Sequence, residues 1–230
     1  WAPQIDGLPN KRIFIAGLWA ASPQFAMGVG WYGTVIYYDG QSTTIMDSGS
    51  SFDLYGIFGL SSIDVWAVGQ KGTILHYDGS QWSPMDSGTS LDLNGVWAAA
   101  PDQVMAVGEN GRILHFDGTV WQPMDSGTTD MLNGIFGSSG NQVHAVGNDG
   151  TIIQYEGTTW TAMDSNTTAT LMSVWGADPA NLFAVGSGET VLHFDGSTWS
   201  SIYAGSTDNT FGNVWGSAAD NVYVTAGANG

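Results

Sequence analysis

The chain has 230 residues, 43% of them hydrophobic and only 11% charged, with 33 glycines and no cysteine. Its 21 acids against 4 lysines and arginines give a net charge of −17, which repels phosphate backbones and anionic lipid headgroups and leaves no basic footprint for nucleic acid. The length admits one large all-β domain or two ordinary ones, disulfide and thiol chemistry are excluded, and the longest apolar run, Ile13 to Ala21, is far short of a membrane span.

From the N-terminus, "WAPQID" (residues 1–6) reads as a short edge strand, and "GLPNKRI" (7–13) gathers Lys11 and Arg12. The opening at Trp1 without a methionine reads as a processed or trimmed product. Two markers then recur along the chain. The aromatic of a Gly-Val-Trp or Gly-Ile-Phe element falls at Trp19, Phe58, Trp97, Phe136, Trp175 and Trp215, in steps of 39, 39, 39, 39 and 40. The acid of an Asp-Gly or Glu-Gly pair falls at Asp39, Asp78, Asp117, Glu156 and Asp195, four steps of 39. Two independent markers on one spacing define a repeat protein. The copies lie near 13–46, 52–85, 91–124, 130–163 and 169–202, and 211–230 with 1–6 forms a closing copy.

The copy at 91–127 can be read for local structure. "LNGVWAAA" is an apolar strand, and "VMAVG" is a second, closed by the turn Gly108-Glu109-Asn110-Gly111. "RILHF" is a third, closed by Asp117-Gly118, a hairpin signal that expects positive φ at both turn residues. "VWQPMD" is a fourth, and its Pro123 places it on a sheet edge, as do Pro3 and Pro84 in other copies. Four short antiparallel strands in about 40 residues are one blade of a β-propeller. The first three strands, A to C, read as nearly continuous hydrophobic runs because each blade is sandwiched between neighbours.

The count gives a six-bladed β-propeller in one domain, 1–230, closed by the N-terminal strand pairing into the C-terminal blade. Positions 151–159 have no counterpart in that closing blade, so it lacks one strand. The seam is expected to be a weak point or to pair with another chain.

The stretch "VWAVGQKGTILHYDGSQW" (65–82) resembles the BNR-like bacterial propeller repeats, a superfamily that includes the Asp-box hairpins of sialidases and the repeats of the photosystem II assembly factor. The resemblance covers essentially the whole chain and implies fold rather than function. An Asp box spaces aspartate and tryptophan by five residues, whereas Asp78 and Trp82 are four apart, so no sialidase site carries over. Sialidases clamp the substrate carboxylate with three arginines, and this chain has only Arg12 and Arg112.

Most remaining chemistry-bearing residues keep the repeat. The Asp-Gly acids are expected to satisfy their own turns, since paired glycosidase carboxylates must face each other about 5–9 Å apart and one acid per blade cannot. His76, His115 and His193 share one position, and with His144 are expected to make inter-blade hydrogen bonds rather than a metal set. Trp82, Trp121, Trp160 and Trp199 are expected to pack between blades, with repeated sugar stacking as the alternative. The loops "MDSGSS", "MDSGTS", "MDSGTT" and "MDSNTT" carry Asp47, Asp86, Asp125 and Asp164 on one face, which the B-to-C turns share, adding Glu109, Asp149 and Glu189. These read as repeated Asx or Ser/Thr turns, or as an acidic, hydroxyl-rich rim for neutral sugars or a basic protein; no calcium-loop spacing is present. The departures are more informative, above all Trp31-Tyr32 at the first B-to-C tip, where two large aromatics stand exposed unless they cover the seam.

The leading expectation is a non-enzymatic, extracellular or periplasmic binding module for carbohydrate or an extracellular polymer, with Trp31, Tyr32, Asp47, Asp86, Asp125 and Asp164 as ligand-binding residues. The second is a protein-interaction scaffold or assembly-factor subunit, and the third a hydrolase. No catalytic residue, metal or cofactor is assigned, and neither nucleic acid nor membrane insertion is expected.

Overall fold

The computed structural model of the chain describes residues 13–205 and 208–227. Five four-stranded sheets follow one another, each an antiparallel meander in chain order. The first holds β1 (Ile15–Ser22), β2 (Phe25–Gly30), β3 (Val35–Tyr38) and β4 (Thr43–Met46). The second holds β5 (Leu54–Ser61), β6 (Asp64–Gly69), β7 (Ile74–Tyr77) and β8 (Trp82–Met85). The third comprises β9 (Leu93–Ala100), β10 (Gln103–Gly108), β11 (Ile113–Phe116) and β12 (Trp121–Met124). The fourth comprises β13 (Leu132–Ser139), β14 (Gln142–Gly147), β15 (Ile152–Tyr155) and β16 (Trp160–Met163). The fifth comprises β17 (Leu171–Asp178), β18 (Asn181–Gly186), β19 (Thr190–Phe194) and β20 (Trp199–Tyr203). A sixth sheet has two strands among the described residues, β21 (Thr210–Ala218) and β22 (Asn221–Gly227). "WAPQID", with Trp1 and Pro3, and the Lys11-Arg12 pair lie outside the described residues.

The proline-bearing strands β8 and β12 are outermost in their sheets, where a missing N–H costs no ladder bond. The third-to-fourth strand hairpins differ from the expected geometry in one respect. Only the glycine takes positive φ, at Gly79 and Gly118 for example, while the aspartate before it does not. The carboxylate explains this: Asp117 Oδ1 accepts N–H bonds from Thr119 and Val120, both at 2.9 Å, and so closes the loop itself.

In the first, second, fourth, fifth and sixth sheets the first two strands pair with register shifts near both ends of the ladder, as at Leu54/Gly56 and Gly59/Ser61. Such bulges bend a strand and raise its right-handed twist. One glycine is demanded by the second-to-third strand turn. Gly72 sits at φ +72°, and a Cβ there would fall on the Thr89 carbonyl oxygen.

Contacts divide the described residues into two compact units, one within Trp1–Ala106 and Leu114–Gln122, the other within Val107–Ile113 and Pro123–Gly230. In the first, one apolar cluster joins Met27, Val29 and Val35 of the first sheet to Leu54, Val65, Leu75 and Trp82 of the second. A second cluster joins Trp66, Val68 and Ile74 to Leu93, Val96, Leu114 and Trp121 of the third sheet. In the second unit, Val146 and Ile152 share a core with Leu171, Val174, Leu192 and Trp199. The second sheet buries both faces, one in each of its unit's two clusters, which is why its strands read as apolar runs rather than alternating ones, whereas β1 of the first sheet is largely exposed. In the sixth sheet Trp215 is 61% exposed, against 4% for its counterpart Trp97.

Candidate functional site

The loops joining second to third strands form tight tips with a repeated backbone. Trp31-Tyr32-Gly33, Gln70-Lys71-Gly72, Glu109-Asn110-Gly111 and Asn148-Asp149-Gly150 each put the middle residue in the left-handed region, at φ 57°, 56°, 54° and 53°. In the fifth sheet Glu189 takes the same conformation at φ 52°. Asparagine and aspartate tolerate this region readily, whereas a bulky aromatic such as Tyr32 does so at a cost.

Each of the first two tips is held by an acid from the next sheet. Tyr32 donates its backbone N–H to Asp53 Oδ1 at 2.7 Å, and Lys71 does the same to Asp92 Oδ1 at 2.7 Å. Asp53 and Asp92 went unassigned in the sequence reading. Their signal was an acid directly before the leucine that opens β5 and β9, 21 residues beyond the tip in both copies.

The expected loop acids lie beside these tips. Asp47, Asp86, Asp125 and Asp164 are exposed, and their Oδ1 atoms accept N–H bonds from Gly49, Gly88, Gly127 and Asn166 at 2.8–3.0 Å. The serine after each is buried, and its hydroxyl donates back into the loop. Ser48 also donates to the Gly33 carbonyl at 2.6 Å, tying the loop to the first tip. The four acids therefore cap turns, and the structure gathers only Asp47 to the aromatic tip. Asp86→Ala is expected to lower stability by about 1 kcal/mol, the worth of one such bond, as a shift of the urea midpoint.

At that tip Trp31 is 42% exposed and stacks on Phe14, with centroids 4.3 Å apart and planes at 28°, while Tyr32 is 78% exposed. Phe52, beside Asp53, is also exposed, and Lys71 Nζ lies 5.0 Å above its ring centroid. The repeated tryptophans do not form a surface. Trp82, Trp121, Trp160 and Trp199 are 7%, 8%, 7% and 2% exposed, so no sugar face can stack on them. Trp121 meets Trp66 edge-on at 5.8 Å, which is packing between neighbouring sheets.

The histidines depart from the expected inter-blade bonding. His76 Nε2 lies 2.8 Å from Asp64 Oδ1 in its own sheet, its ring stacked on Trp66, and His193 faces Asn181 of its own sheet at 3.4 Å. The reason is register: His76 pairs with Trp66 and His193 with Phe183, and Asp64 and Asn181 lie two residues before those partners, diagonally across the same ladder. His144 is buried beside Phe194 and Trp199, and neither ring nitrogen has a hydrogen-bond partner. Desolvation pushes its pKa down to about 4.

The four hairpin aspartates behave as expected, each carboxylate accepting N–H bonds from its own turn. Bonds from Ser80 and Gln81 hold Asp78 down to about 2, and bonds from Ser197 and Thr198 do the same for Asp195. Among the described residues no three His, Asp or Glu side chains gather in a way that could hold a metal ion.

A repeat of meandering four-stranded sheets, with turn-capping acids on the loops and one aromatic tip, defines a non-helical propeller scaffold. Among solved structures, the chain is similar to YCF48. The chain matches YCF48 bound to D1 peptide with a TM-score of 0.72 and 18% identity, over 98% of this chain and 81% of that one. It matches YCF48 from Cyanidioschyzon merolae with a TM-score of 0.51 and 13% identity, over 95% and 94%. The chain thus has the β-propeller fold of YCF48. No protein-family model and no curated protein matches it.

Proposed function

We propose that the chain is a non-enzymatic propeller of six blades that holds a protein partner on its loop face in the manner of an assembly factor. The observation that carries this reading is a fold shared over nearly the whole chain with YCF48, a structure in which a peptide is bound. Burial of the recurrent tryptophans supports it, because a repeated lectin site would need those rings at the surface. The loop carboxylates also spend an oxygen on their own backbone, which leaves the aromatic tip as the irregular feature of the face. Carbohydrate recognition, the leading expectation from the sequence, has no such support. The protein probed in parallel against a peptide array and a glycan array should give saturable binding on the first and none on the second. Glycan binding without peptide binding would reverse the assignment.

A further inference from the structure

On the reading that this is a protein-binding propeller, we infer that the aromatic tip of the first sheet, Trp31 and Tyr32 beside Phe14, receives an arginine or lysine side chain of an extended, basic partner segment. Four observations converge on that occupant. The equivalent tips carry Gln70-Lys71, Glu109-Asn110 and Asn148-Asp149, so two aromatics at this place are a local departure from the repeat. Tyr32 holds a left-handed backbone that asparagine holds with less strain at Asn110, so the ring is kept against its own local cost.

Charge then selects the ligand. The chain carries −17, and Asp53 and Asp47 flank the tip, one bonded to the Tyr32 N–H and the other capping the loop tied to Gly33. An aromatic face beside carboxylates, on a surface of that sign, attracts a cation and repels an anion. Among the described residues the molecule makes one such contact within itself. Lys71 occupies at the second tip the position Tyr32 holds at the first, and its ammonium lies 5.0 Å over the exposed Phe52 ring. Trp31 and Tyr32 offer the same kind of face with no cation of this chain over them among the described residues. Phe14 backs one face of Trp31 and fixes its plane.

The test uses fluorescein-labelled peptides that alternate arginine with serine, their counterparts with lysine, citrulline or glutamate, and fluorescence anisotropy on the intact chain. The arginine and lysine peptides should bind, more weakly as salt is raised, and the citrulline and glutamate peptides should not. Trp31→Ala should weaken binding about tenfold, as loss of an aromatic anchor does. Tyr32→Asn restores the residue the repeat uses at Asn110; it should also weaken binding while leaving the urea midpoint unchanged or raised. Equal binding of arginine and citrulline peptides, or variants that bind as the native chain does, would overturn the inference. Were array peptides still bound in that case, the protein-binding reading would stand without this site. If no peptide of any charge bound, both would fall.

Discussion

Trp66→Ala is expected to destabilise the protein by about 3–5 kcal/mol, the range for deleting a large buried aromatic and leaving its cavity. Trp66 is 2% exposed and belongs to two sheets at once. Its ring stacks on His76 within the second sheet at 4.1 Å and meets Phe116 and Trp121 of the third at 5.2 and 5.8 Å. Removing it therefore opens the interface between the second and third sheets. Urea denaturation followed by far-ultraviolet circular dichroism reads the effect as a fall in midpoint. Trp31→Ala, a change of the same size at a half-open position, should move that midpoint by less than about 1 kcal/mol, as surface changes do. Equal losses at the two positions would mean that burial between sheets is not what holds the fold.

His144→Met is expected to stabilise the protein and to remove a pH dependence. The position lies opposite Phe136 on the neighbouring strand, and its equivalents are Met27, Trp66, Met105 and Phe183, so the repeat specifies an apolar side chain there. A buried imidazole with both nitrogens unpaired costs about 1–3 kcal/mol at neutral pH, and methionine relieves that cost. The pH effect has a definite sign. The folded-state pKa is lowered from an ordinary 6.5 to about 4 by burial, so below 6.5 the unfolded chain takes up a proton that the fold excludes. Stability then falls with falling pH between about 6.5 and 4, by roughly 3 kcal/mol over the window. Urea titrations of both proteins across that range should diverge, with the native chain losing more. Parallel curves would mean that the ring is hydrated or paired in solution.

The hairpin aspartates act at lower pH. Their pKa values are lowered, so what they contribute is present above the ordinary carboxylate range and is lost as pH falls through about 2 at Asp78 and Asp195. They do not confound the histidine comparison, because both proteins retain them.

The scaffold was legible in the sequence because a blade writes itself in turn chemistry. Asp117-Gly118, the Gly108 to Gly111 tip and Pro123 bracket β10, β11 and β12 almost to the residue. What the sequence did not show depends on which strands face each other. His76 meets Asp64, 12 residues away, because β6 and β7 pair in one register, and no periodicity along the chain announces that partner. His144, alone on a second strand, was expected to hydrogen-bond like the other histidines, yet on β14 it lies where Phe194 and Trp199 of the fifth sheet close over it. Asp53 and Asp92 hold the tips of the preceding sheet, a duty set by how neighbours stack rather than by local pattern. At the candidate site, Trp31 and Tyr32 stand out in the sequence because they break the copy, and the loop acids bond their own backbone, as the repeated Asx-turn reading of their loops expects.

Within each compact unit, the apolar clusters straddle neighbouring sheets rather than filling any single one. A gene that gains or loses one 39-residue module therefore still presents matching surfaces on either side of the splice. Such a scaffold can be resized by recombination without redesigning its interior.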